Sequence, residues 1–118
     1  MSDKATVIFT TTDPLGSSIT LNKPTWDKHI VSGHPEMQGN EKAVQKVIEE
    51  PEAIYRSTKS PDADVFYAKS HESTFPSLFT RVIVGYVGEN KGVVKTAFFT
   101  KKIDDVKKGE LKYENKKT

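Results

Sequence analysis

Two hydrophobic spacings divide the chain. Residues 5–12, ATVIFTTT, are rich in β-branched side chains, and SSITLN (17–22) follows the turn signal Asp13-Pro14-Leu15-Gly16, so the pair predicts a hairpin. The spacing then lengthens. In NKPTWDKHIVSG (22–33), Trp26 and Ile30 lie four apart, Pro24 suits a first helical turn behind a cap at Asn22 or Lys23, and Gly33 with Pro35 stops the helix. A second helix is predicted behind Asn40 as cap, with Ala43, Val44, Val47 and Ile48 as its apolar stripe and Pro51 as its end. After Pro51 the pattern reads as strands at 53–58, 64–70, 78–87 and 92–100. Their short connections predict an antiparallel meander, because parallel neighbours need long crossovers. The expected fold is α+β, with N-terminal helices packed on a four-stranded antiparallel sheet and an extra N-terminal hairpin.

Composition narrows the class. A chain of 118 residues, 35% hydrophobic and 29% charged, predicts one globular domain over residues 1–118. Cysteine is absent, which excludes disulfides, a thiol nucleophile and thiolate metal sites, and suits a reducing compartment. The opening MSDKATVIFTTTD lacks the apolar core of a signal peptide, and no later run approaches a membrane span, so a cytoplasmic protein without membrane contact is expected. Charge is uneven. From Lys91 onward nine lysines face four acids (+5), whereas residues 1–90 carry nine bases and twelve acids (−3). The lysine-rich stretch 101–118 reads as a solvated tail, with phosphate contact as the other possibility.

Candidate chemistry centres on WDKHIVSGHPEM (26–37), which holds two of the three histidines and the one tryptophan. His29 and His34 are five apart, roughly 140° around an ideal helix, so they do not form a helical metal-ligand pair. No metal or cofactor is expected. A G-x-S-x-G elbow and a glycine-rich phosphate loop are both missing. What remains is metal-independent acid–base chemistry, for which histidine is suited near neutral pH. His29 follows Trp26 by three residues and shares its side of an α-helix, with Trp26 as a structural anchor in the core. An isolated histidine there also serves simply as core edge, and His34 as a cation at a helix end.

These residues, together with P-x-x-I-Y-x-S (51–57), VFYAK (65–69), RVIVGYV (81–87) and G-V-V-K-T-A-F (92–98), resemble phage-type members of the superfamily that groups barnase, EndoU, colicin nuclease domains and RelE toxins. The resemblance runs from about Ile19 to Phe99 and marks residues of about 19–100 as a nuclease-like core. It implies a small endoribonuclease that works without metal, a toxin or phage-derived effector, with RNA as substrate and a cognate inhibitor or other protein as partner. His29, His34 and Thr96 are then the catalytic candidates, and Lys95, Arg81 and Tyr67 the substrate-binding ones, Tyr67 or Tyr86 by stacking a base. In a regular strand Lys95 and Thr96 point to opposite sides, so only one of them faces a site unless a bulge intervenes. The scarcity of positive charge over 1–90 keeps a second reading open, a non-catalytic module of the same fold that binds RNA or protein.

Overall fold

Strand pairing extends well beyond the predicted meander. The computed structural model describes residues 6–103 and 110–115. The elements run β1 (Val7–Thr12), β2 (Ser18–Asn22), a short α1 (Lys23–Thr25) continuing into a π-helical segment (Trp26–Val31), a 3-10 turn (Pro35–Met37), α2 (Glu41–Glu49), β3 (Ala53–Arg56), β4 (Ala63–Lys69), β5 (Phe79–Gly88), β6 (Lys91–Thr100) and β7 (Leu111–Glu114). All seven strands form one sheet in the order β1-β2-β6-β5-β4-β3-β7. The expected four-stranded sheet carrying N-terminal helices and a separate hairpin is therefore wrong. The hairpin joins the sheet through a parallel β2–β6 pairing, and part of the supposed tail supplies β7 beside β3. A four-stranded meander leaves two rows of unpaired backbone groups; β7 pairs along β3, and β2 along the first part of β6.

The β1–β2 turn closes as its sequence demands, with the Asp13 carboxylate accepting the N–H groups of Leu15 (3.0 Å) and Ser17 (2.8 Å). β7 is pinned from the buried face. The carboxylate of Asp64 accepts from Lys112 Nζ at 2.8 Å and from the Tyr86 hydroxyl at 3.0 Å, with Arg56 Nε at 3.6 Å. Burial, then the charge of Asp64, pushes the Tyr86 phenol well above its ordinary range. Tyr86 thus packs on the covered side of the sheet and is not a base-stacking residue.

One face of the sheet builds the core. Ile19, Leu21, Ile54, Phe66, Val82, Val84, Val94 and Ala97 meet Trp26, Ile30, Met37, Val44, Val47 and Ile48 from the helical segments. Asn40 occupies the N-cap position of α2 but makes no side-chain cap bond. Its Oδ1 instead accepts from Thr74 N (2.8 Å) and Thr74 Oγ1 (3.1 Å), while Nδ2 donates to the carbonyl of Glu36 (3.2 Å). Asn40 is a buried strut between the helical segments and the β4–β5 loop. Asn40→Ala is expected to lower stability by about 1–3 kcal/mol, read as a fall in the urea midpoint, because those donors lose their acceptor.

The hairpin is tied to α2 at Glu49, whose carboxylate accepts from the Thr11 hydroxyl and, at 2.9 Å, from Gln45 Nε2. The Thr11 bond holds the Glu49 carboxyl below its ordinary value; partial burial opposes this, and Gln45 and the charge of Lys46 add to it. A depressed folded value contributes stability above the unfolded one, about 4.3 for glutamate, and that stability disappears as the pH falls through the folded value. Glu49→Gln should therefore be less stable than the parent at neutral pH, with the gap narrowing in urea titrations as the pH falls below the unfolded-state value. Among the described residues, no helix is long and apolar enough to cross a membrane.

Candidate functional site

The second face of the sheet carries the candidate chemistry, and strand register puts it there. Tyr67 pairs with Arg81 and Arg81 with Phe98, while Val65 pairs with Ile83 and Ile83 with Thr96. Residues paired directly across an antiparallel sheet share a side, so all six point away from the helices. Between Val84–Val94 and Ile83–Thr96 the register slips by one residue, which leaves Lys95 as the extra residue of a bulge in β6. Its side chain then lies over Gly85: a Cβ built on Gly85 would stand 2.8 Å from Lys95 Cδ. Lys95 and Thr96 therefore occupy the same face, and the choice that alternation imposed between them disappears.

Arg81 stands at the centre. Its guanidinium carbon lies 5.6 Å from the ring centre of Tyr67 and 5.2 Å from that of Phe98. Such stacking fixes the planar cation without a carboxylate. Its Nε is buried and has no hydrogen-bond partner among the described residues. Tyr67 is 2% exposed, between Tyr55 (6.2 Å between ring centres) and Phe79 (6.5 Å). A ring so covered cannot stack a base; Tyr67 is the pedestal on which Arg81 rests.

His34 reaches this face around the edge of β6. β2 covers only the first part of that edge, pairing Ser18, Ile19 and Thr20 with Lys91, Gly92 and Val93. The His34 ring packs 4.9 Å from the ring of Phe98, on which Arg81 also rests. Glu36 Oε2 lies 3.7 Å from His34 Nδ1. A carboxylate there favours a proton on Nδ1 and leaves Nε2 as the basic nitrogen. Glu36 was not among the sequence's site residues, although H-P-E places it two residues from the histidine.

His29 is not part of this arrangement. The π-helical winding of residues 26–31 keeps Trp26 and Ile30 buried while His29 is exposed. The wider π turn carries a residue at i+3 away from the side it would share in an α-helix. Trp26 is 2% exposed and is a core residue.

A groove of about 210 Å³ continues from Phe98, Arg81 and Ile83 toward Tyr55 and the β3–β4 turn at Ser57, Thr58 and Lys59. A larger hollow, about 310 Å³, lies beside the start of the β4–β5 loop and includes His71. It mixes both signs of charge: Lys46 and Lys69 line it with Glu50, Glu52 and Glu72, and Lys46 pairs with Glu50 at 3.4 Å. The groove on the outer face is different, since Lys59 and Arg81 line it and no carboxylate does. Arg56 borders it, but its register with Asp64 turns the guanidinium to the covered side. His34 stands at the rim, against Phe98. The chain matches no family model, no curated protein and no solved structure.

Proposed function

We propose that the protein is a small metal-independent endoribonuclease whose site is the outer face around Arg81. The β6 bulge carries the reading, because it brings Lys95 and Thr96 to the same face of the sheet as Arg81 and Phe98, with His34 against the Phe98 ring. The motif resemblance to the barnase, EndoU, colicin and RelE superfamily supports the same chemistry. His34 Nε2 takes the proton from a ribose 2′-OH, and the 2′-oxygen bonds to the adjacent phosphorus. The P–O5′ bond breaks, and the leaving oxygen takes a proton from the Lys95 ammonium, giving a 2′,3′-cyclic phosphate and a 5′-OH. Arg81 binds the non-bridging oxygens as their charge grows, and Thr96 donates one hydrogen bond to them. Glu36, 3.7 Å from Nδ1, orients the imidazole.

The test is incubation with a structured RNA in EDTA, with product ends mapped for 2′,3′-cyclic phosphate, beside a His34→Ala variant. Cleavage by the parent that the variant loses supports the reading. A single histidine on the face favours, as second reading, RNA binding without cleavage; intact RNA that nevertheless binds in a salt-dependent way would select it. As an endoribonuclease of this type the chain fits a toxin or phage-derived effector, with a protein inhibitor as its natural counterpart.

A further inference from the structure

This inference rests on the nuclease reading of the outer face and deepens it. We infer that the groove beyond Arg81 is a second phosphate subsite, centred on Lys59, so that the substrate is a single RNA strand crossing β5, β4 and β3. Two observations converge on it. The groove is concave, and its lining includes the cations Arg81 and Lys59 and no carboxylate. Lys59 is exposed and has no acidic partner among the described residues. Arg56 borders the groove but pairs in register with Asp64, so its guanidinium turns to the covered side, where Nε lies 3.6 Å from that carboxylate.

The spacing suits a strand. Neighbouring β-strands lie about 4.8 Å apart, which puts the β3 end of the groove ~10 Å across the sheet from Arg81. A single phosphate cannot touch both, whereas phosphates of successive nucleotides can. The floor between the cations is Val65, Ile83 and the half-buried Tyr55, an apolar surface suited to a base or ribose. A duplex is too broad for a hollow of about 210 Å³ and keeps its bases stacked inside, so the groove selects unpaired RNA. At the turn, Ser57 Oγ accepts the N–H groups of Lys59 (3.1 Å) and Ser60 (3.2 Å), which holds the lysine at the groove mouth.

The experiment uses 2′-O-methyl oligonucleotides, which lack the attacking hydroxyl and so report binding alone. Fluorescence anisotropy compares a single-stranded hexanucleotide, its duplex and a dinucleotide with one phosphate, for the parent and for Lys59→Gln. Thermal melts check that the variant, altered at an exposed turn, remains folded. The expected result is a several-fold loss of hexanucleotide affinity, a log–log salt slope flatter by about 0.7, and unchanged dinucleotide binding. Equal affinity of parent and variant for the hexanucleotide would overturn the subsite, as would parent binding of the duplex at equal strength. Cleavage of unmodified RNA is measured in parallel. Lys59-dependent binding without cleavage supports the strand subsite and sinks only the nuclease reading. Cleavage indifferent to Lys59 sinks only the subsite.

Discussion

His34→Ala is expected to slow RNA cleavage by about 10²–10⁴-fold, the range for removing a general base, while His29→Ala leaves the rate unchanged. The two histidines are five residues apart and have nearly equal claims by sequence. The fold separates them. His34 packs on Phe98 with Glu36 behind its Nδ1, whereas His29 is exposed on the π-helical segment. The measurement is a single-turnover rate on one RNA for the parent and both variants, each checked for folding by circular dichroism. Equal losses in both would remove His34 from the role assigned here. Glu36→Gln should fall between parent and His34→Ala, since it weakens the orientation of the base without deleting it.

Trp26→Ala should cost ~3–5 kcal/mol of folding stability, the usual range for deleting a buried tryptophan. Trp26 lies in the core between the π-helical segment and the sheet, together with Ile30 and Val94. Urea unfolding at neutral pH reads this as a large drop in midpoint with little change in slope. A loss below about 1 kcal/mol would mean that the indole is not packed as described. Activity should fall as well, because the same helical segment leads into His34, whose N–H donates to the Ile30 carbonyl at 2.7 Å.

Much of the local structure was legible because it follows from neighbouring residues. The i, i+1, i+4, i+5 stripe of α2 and the β-branched strands β3 to β6 are short-range patterns, and the turn at Asp13 is written in its own side chain. The anion-binding candidates were legible as residue types, since Arg81, Lys95 and Thr96 stand out within otherwise apolar strands. Which of them share a face was not. That depends on one slipped residue in the β5–β6 register, and a bulge leaves no trace in alternation. Tyr67 illustrates the opposite error. An aromatic in a strand suggests stacking, but only its neighbours show that Arg81, Tyr55 and Phe79 surround it.

The sheet's breadth and the choice between the histidines were likewise decided by tertiary structure. β2 pairs with β6 across some seventy residues of sequence, and β7 is recruited from a lysine-rich stretch by pairing with β3 and by the Lys112–Asp64 bond. Edge pairing satisfies backbone groups, which every residue has, so side-chain pattern cannot announce it. Neighbouring residues were enough to place α2 and β1 to β6 and to show which side chains can carry acid–base or phosphate chemistry. The tertiary structure decided which strands meet, which face stays open, and which histidine stands on it. Those outcomes depend on pairing register and helix winding between distant residues, and both arise only when the chain packs.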